Sequence, residues 1–406
     1  MNHKCEVCLN PLEGPLLDLG FHPLCDDHEQ IGSQINANRY HQEIQLCKIC
    51  LTAHQLHPVK KEVLFKKTYK YRAAMTKDVL SGMQNLVDEA INYTNQKQDK
   101  PIKILDVGCN DGSLISLFKL KTEVNAVGVD PTDAIEDSKN LDLKIKDYFN
   151  EKVSKEVKEY FGGPADIITF TNVFAHIENL GELCSSLKLL IGKNTLVIIE
   201  NHYLGSIIER FQIDTFYHEH PRTYSATSFK FIAKLLGLEL TKISFPSRYG
   251  GNIRVVMKQG NSELTDQIKE IFTKEISLID NFGEMQSKYT QWVDSAKKII
   301  SSDKFRKGFR GKGLPGRAVM LISALGISSK EMPKVYEQDL SPKVGYYVPG
   351  TNIEINSDSS INPIEDTPIV LWPWHIAEEV IPYLANKNIR GEVWVPLPEF
   401  KKIATL

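Results

Sequence analysis

The 406-residue chain has no apolar run approaching the roughly 20 residues that span a bilayer, and no basic-then-apolar leader at its start. A soluble, cytoplasmic protein without a membrane partner is therefore expected. The chain also lacks charge of one sign: Lys+Arg number 49 against Asp+Glu 51, a formal net charge of −2. No long-range field draws it to phosphate polymers, so nucleic acid is a poor default partner. Internal repeats and low-complexity tracts are absent, as is the Gly-Lys-Ser/Thr of a phosphate-binding P-loop. What remains, with 42% hydrophobic and 25% charged residues, is enough chain for two or three globular domains.

Cysteine is scarce and patterned. Of seven, four form two C-x-x-C pairs, Cys5/Cys8 and Cys47/Cys50, while Cys25, Cys109 and Cys184 stand alone. An odd count with paired knuckles points to metal rather than disulfides. Zinc takes four thiolate or imidazole ligands in a tetrahedron, and each knuckle presents two sulfurs, so Cys5, Cys8, Cys47 and Cys50 would close the shell of a structural ion. The 38 residues between the knuckles hold a rival pair, Cys25 and His28.

Residues 1–66 read as this cysteine-rich module, with a strand over "YHQEIQLC". Apolar residues at helical spacing (Val79, Met83, Leu86, Val87, Ala90, Ile91) predict a linking helix. Then "IKILDVG", "VNAVGVD", "ADIITFTNVF" and "NTLVIIEN" read as buried strands separated by helical stretches, the pattern of a parallel sheet covered on both faces. The expected divisions are 1–66, 67–260 and 261–406, the last a second α/β set.

The first of those strands ends in "ILDVGCNDGSL", where Asp106, Gly108, Asn110 and Gly112 form a glycine turn that lets backbone approach a ligand. The spacing is not the dinucleotide G-x-G-x-x-G. Asp130 ends the second strand, an acceptor suited to ribose hydroxyls, and Asp147 follows in "KDYF" to meet an adenine amino group. This ordered series resembles the class I S-adenosylmethionine (SAM) methyltransferases.

"FTNVFAHIENL" places Asn172 and His176 after the fourth strand, and "TFYHEHPRTY" gathers Tyr217, His218, Glu219 and His220 shortly after the fifth. An extended YHEH would set the two histidines on one face and Tyr217 and Glu219 on the other. Imidazole, with a pKa near about 6.5, accepts a proton at neutral pH, and a neighbouring carboxylate would orient it.

Taken in order, the two knuckles, "GCNDGS", "NVFAHI", "YHEH", "YGGNIRV", "VPGTNI" and "PWHIAEE" resemble the sugar C-methyltransferases, which act on nucleotide-linked keto-deoxysugars. That resemblance implies an α/β protein with three parts. These are an N-terminal zinc-binding module, a Rossmann-like class I SAM methyltransferase domain and a C-terminal Rossmann-like domain for the sugar nucleotide. It also implies catalytic roles for His220, Tyr217, Glu219, His176 and Tyr71, and methylation at C-3 beside a 4-keto group. The chain departs from the family in "GKGLPGRAVM", with Leu314 where a small residue and Arg317 where lysine is expected, and in Tyr249 before Gly250 and Gly251. Two other readings stay open: an O-methyltransferase whose histidine deprotonates a hydroxyl, and a zinc-containing RNA-modifying or nucleic-acid-binding protein.

Overall fold

The computed structural model describes residues 3–65, 72–75, 77–94, 100–260 and 264–406. They form three sheets. The first begins with β1 (Leu16–Pro23), β2 (Arg39–Leu46) and β3 (Ala53–Gln55), paired antiparallel in that order. Leu17, Leu19, Ile44 and Leu46 alternate inward, while Asp18, Phe21, His41 and Glu43 lie on the outer face.

The near-continuous apolar runs of the middle section become β4 (Ile102–Val107), β5 (Val124–Val129), β6 (Leu143–Ile145), β7 (Ala165–Thr171) and β8 (Ile191–His202), all parallel. After β8 comes β9 (Arg222–Thr223), then β10 (Glu239–Ser244) and β11 (Asn252–Lys258). The central order is β10-β11-β8-β7-β4-β5-β6, with β11 antiparallel to β8. The linking helix Lys77–Tyr93 and the helix Ser113–Lys119 cover one face, burying Leu86, Val87 and Phe118 against Ile104 and Ile198. The helices Glu151–Phe161, Leu180–Lys188 and Ala226–Leu236 cover the other. Asn150, Asn179 and Ser225 start these three helices, each accepting a backbone N–H of the first turn, which is why the strands give way to helix at those points. Strand order reverses between β4 and β7, so the crevice of an open α/β sheet lies at their carboxyl ends.

β9 does not join that sheet. It pairs with β3, so a piece of chain from the middle section completes the N-terminal sheet as β1-β2-β3-β9. A two-residue strand carries no periodicity by which it could be read in advance.

The third sheet contains β12 (Arg310–Lys312), β13 (Lys334–Glu337), β14 (Glu354–Ser357), β15 (Ile369–Leu371), β16 (Glu392–Val395) and β17 (Lys401–Thr405). Its order is β14-β13-β12-β15-β16-β17, parallel except for β17. The helix Ala318–Leu325 and the inner face of β1 and β2 share one core, with Leu17, Ile44, Val319 and Ile322 fully buried. The segment after β1 is strapped to the third unit as well, Tyr347 N–H donating to Glu29 O at 2.8 Å and Ile31 N–H to Gly345 O at 3.1 Å. Among the described residues no helix is long and apolar enough to cross a membrane.

One buried charge network ties the linking helix to the central sheet. Glu200 on β8 is 0% exposed and accepts from Arg248, Asn252 and Arg254, and Arg254 also reaches Glu89 at 3.0 Å. Removing the central anion takes a buried charge partner from both Arg248 and Arg254. Glu200→Gln should therefore lower stability by roughly 3–5 kcal/mol, measured by urea unfolding; a loss below ~1 kcal/mol would show the network to be dispensable.

Candidate active site

The glycine turn after β4 is built from left-handed backbone. Gly108 (φ 71°), Asn110 (φ 49°) and Gly112 (φ 73°) all have positive φ, a conformation that costs an ordinary side chain. Space is also closed: a Cβ on Gly108 would lie 2.3 Å from Val173, and one on Gly112 2.1 Å from Ser138 Oγ. Gly108 thus packs on the residue that follows Asn172, which brings the turn against the loop leading to His176.

Asp106, the penultimate residue of β4, accepts Thr169 Oγ1 at 2.7 Å and is pushed up to about 7 chiefly by burial. Asp130, one residue past β5, is 7% exposed. Its carboxylate accepts Asn110 N–H and Thr132 N–H, both at 2.9 Å, and Thr132 Oγ1 at 2.5 Å, so it organises the turn as well as facing the crevice. Asn110 Oδ1 accepts Ala73 N–H at 2.9 Å, pinning the short turn Ala73–Met75 over the loop. Asp147 lies half-buried beyond β6 and caps Tyr148 N–H. Asn172 (φ 55°) is positioned by its N–H on Glu200 O, but its side-chain oxygen accepts Asn252 Nδ2, which turns it toward the Glu200 network. These donors and acceptors, at strand carboxyl ends beside a close backbone approach, fit an adenosine-type ligand.

The YHEH segment is not extended. It is a turn in which His220 N–H donates to Tyr217 O at 2.9 Å, and this reverses the expected pairing of faces. Tyr217 and His220 come together with ring centroids 4.3 Å apart, while His218 swings to Tyr40 O at 3.4 Å on the N-terminal sheet. His176 stacks obliquely on His220 at 4.8 Å. The expected carboxylate orientation of the imidazole also gives way. His220 Nδ1 bonds the Thr215 carbonyl at 3.0 Å, and His176 Nδ1 bonds the Glu219 carbonyl at 2.8 Å. A carbonyl only accepts, so both rings carry their proton on Nδ1 and present Nε2 as a lone pair. The Glu219 carboxylate, 3.9 Å from His176 Nδ1, is held well above the usual carboxylate range by burial. Protonated, it is a donor. Tyr71 lies outside the described residues.

Two contributors were missed from the sequence. His202, at the carboxyl end of β8, lies 5.2 Å from His220, ring to ring. "ENHYLG" placed it at a strand's binding end, which was signal enough. Arg317, from the third unit, donates to Thr215 Oγ1 at 3.2 Å and to His375 Nδ1 at 2.6 Å, and lies 3.4 Å from Asp214. Trp374 Nε1 donates to the same aspartate at 3.0 Å. Only tertiary packing brings these together.

At the far end of the N-terminal sheet the four knuckle cysteines converge. Cys5 and Cys50 sulfurs are 3.3 Å apart, Cys8 and Cys47 3.6 Å, and all four lie within 4.8 Å of one another. None forms a disulfide. Four thiolates at such spacing repel unless a cation sits among them, and the spacing suits tetrahedral coordination with metal–sulfur bonds of about 2.3 Å. Cys25 and His28 are not part of this group; His28 Nδ1 bonds Tyr347 O.

The sheet order, the reversed β11 and the glycine-turn crevice define a class I SAM-dependent methyltransferase. Residues 79–243 match a methyltransferase domain model and residues 247–398 a C-methyltransferase C-terminal domain model. The chain is 24% identical over 425 residues to the C-methyltransferase NovU of Streptomyces niveus, covering 99% of this chain and 97% of that one. Together these matches support a SAM-dependent C-methyltransferase. Solved structures it is similar to include magnesium protoporphyrin IX methyltransferase of Synechocystis PCC 6803 with bound SAM (13% identity, 45% of this chain and 80% of that one, TM-score 0.34). Another comes from Pyrococcus horikoshii OT3 (14%, 48% and 100%, TM-score 0.34).

Burial lowers His176 to about 4 and His202 to about 3, whereas an unfolded imidazole titrates near about 6.5. Below that value the unfolded chain binds more protons, so these groups cost stability progressively as pH falls. Asp106, raised to about 7, acts with the opposite sign, but equally in wild type and in a histidine variant. His202→Asn should therefore show a shallower loss of unfolding free energy between about pH 6.5 and 5; parallel curves would place the His202 ring in a solvated setting.

Proposed function

We propose that the chain transfers a methyl group from SAM to a ring carbon of a nucleotide-linked keto-deoxysugar, at C-3 beside a 4-keto group. The observation that carries this reading is the pair of imidazole Nε2 lone pairs, on His220 and His176, packed beside the Tyr217 ring in one buried cleft next to the glycine turn. A ring C–H is not nucleophilic until a base takes its proton. In this reading His220 Nε2 accepts that proton, and the C–H electron pair moves into an enolate whose oxygen takes a hydrogen bond from Tyr217 or protonated Glu219. His176, whose Nε2 is likewise a lone pair, is assigned as the alternative base, and Tyr71 is assigned a catalytic role on the family resemblance alone.

SAM supplies an electrophilic methyl on sulfonium. The chain's part is to align it and exclude water. Asp130 is assigned to the ribose hydroxyls and Asp147 to the adenine amino group. Gly108 and Gly112 admit the backbone, Asp106 and Asn110 shape the turn, and Asn172 borders it. Residues 261–406 are assigned to the sugar nucleotide, residues 67–260 to SAM and catalysis, and residues 1–66 to a structural zinc held by Cys5, Cys8, Cys47 and Cys50.

His220→Asn should leave SAM affinity nearly intact while cutting methyl transfer by roughly 10² or more. It should also abolish exchange of the substrate's acidic ring hydrogen with deuterated solvent, a step that needs the base but not the methyl donor. Wild-type exchange in that variant would move the base to His176; no exchange in wild type, with methyl on oxygen, would select O-methylation instead. Metal analysis should find about one zinc per chain, lost in Cys8→Ser/Cys47→Ser. A metal-free preparation with native unfolding behaviour would refute the zinc assignment.

A further inference from the structure

The outer face of the N-terminal sheet carries a cluster that neither the methyl-transfer reading nor the cysteine knuckles use. Asp18 on β1 and Glu43 on β2 are direct register partners, so two carboxylates face each other across the strands. Like charges in that position destabilise a sheet. His41 shares the face with Glu43 two residues away, and His57 is brought back over it because Leu56 N–H donates to Glu43 O at 2.9 Å. His41 Nε2 lies 2.9 Å from Asp18 Oδ1, and His57 Nε2 lies 2.9 Å from Glu43 Oε2.

The two imidazoles are stacked, centroids 4.9 Å apart at 14°, with Phe21 on the other side of His41 at 4.6 Å. Protonating both would offset the carboxylates but set two cations face to face. A single dication at the Nε2 edges neutralises the carboxylates without that repulsion. The ligand atoms of His41, Glu43 and His57 already lie within 4.8 Å of one another. Two ligands at roughly 2.1 Å from one ion are at most about 4.2 Å apart, so small side-chain rotations suffice. Solvent reaches the site, with His41 26% and His57 48% exposed.

We propose that His41, Glu43 and His57, with Asp18 beside them, form a second metal site that takes a divalent transition-metal ion. Two imidazoles with carboxylate suit zinc, cobalt, nickel or copper over magnesium or calcium. The site is separate from the knuckles: His41 is six residues from Cys47 along extended chain, about 20 Å. An ion here would clasp β1, β2 and the segment after β3, stiffening the sheet through its solvent face.

The test uses the full chain as purified, titrated with Co²⁺ after exchangeable metal has been removed by dialysis. Expected is one further ion per chain by calorimetry, with weak visible absorption that lacks thiolate-to-cobalt charge transfer, and a raised melting temperature. His57→Gln and Glu43→Gln, both exposed enough to preserve the fold, should each weaken Co²⁺ binding at least tenfold and leave the cysteine-bound metal content unchanged. Unaltered Co²⁺ binding in the His57→Gln/Glu43→Gln double variant would overturn the proposal. So would the absence of a second ion in wild type, or full displacement of Co²⁺ by Mg²⁺ at equal concentration.

Discussion

The structure turns on one buried guanidinium. Arg222, 0% exposed, sits in β9 and donates to Tyr224 Oη at 3.0 Å, to Glu6 at 2.5 Å, to Glu178 O at 3.2 Å and to Ile177 O. A planar, permanently charged group with five donors tolerates burial only when those donors are met, and here the partners are Glu6, the adjacent carbonyls of Ile177 and Glu178, and the nearby Tyr224 hydroxyl. Glu6 lies between the two cysteines of the first knuckle. Ile177 and Glu178 follow His176, and the backbone of Arg222 itself pairs with His54 on β3. The cysteine knuckle, the loop carrying one histidine and the turn carrying the other are therefore held by one residue. A metal at the knuckle would fix Glu6, and through it the His176 loop, without touching a substrate.

A second buried ion pair performs the same service from the other side. Asp214 is 1% exposed and meets Arg317 and Trp374 of the third unit, and the next residue, Thr215, supplies the carbonyl that holds His220 Nδ1–H. The orientation of His220 thus depends on a contact between units. Seating of the third unit and correct aim of the Nε2 lone pair are linked through two adjacent residues.

How far this was legible depends on the kind of signal. The central sheet was readable because strands buried on both faces are apolar throughout, as in β7 and β8, and are separated by helical stretches. The cysteine set was readable from spacing alone. The conformation of YHEH was not: alternation of residue types cannot distinguish a strand from a turn over four residues, and the deciding bonds, His220 to Thr215 and His218 to Tyr40, involve partners up to 178 positions away. His202 stood at a strand's binding end and could have been read, whereas β9 and the Asp214–Arg317 pair were hidden for the same reason. Their roles come from packing between segments remote in sequence.

The histidine cluster shows why such packing matters to the chemistry. His176 and His202 lie 4.8 and 5.2 Å from His220, ring to ring, and burial disfavours charge on all three, with Arg317 adding to that at His202 and His220. Protonating one ring raises the cost of protonating the next. A base kept neutral has its lone pair ready at any ordinary pH, yet burial also weakens it, and a weak base alone would remove a carbon-bound proton slowly. In the proposed reaction the anion that forms as the proton leaves would change the balance: in a dry cleft, negative charge beside the imidazolium stabilises it far more than water would. Under the proposed reaction the site would be complementary to the charge-separated state rather than to the resting one, the condition under which a buried histidine serves catalysis instead of merely filling a core.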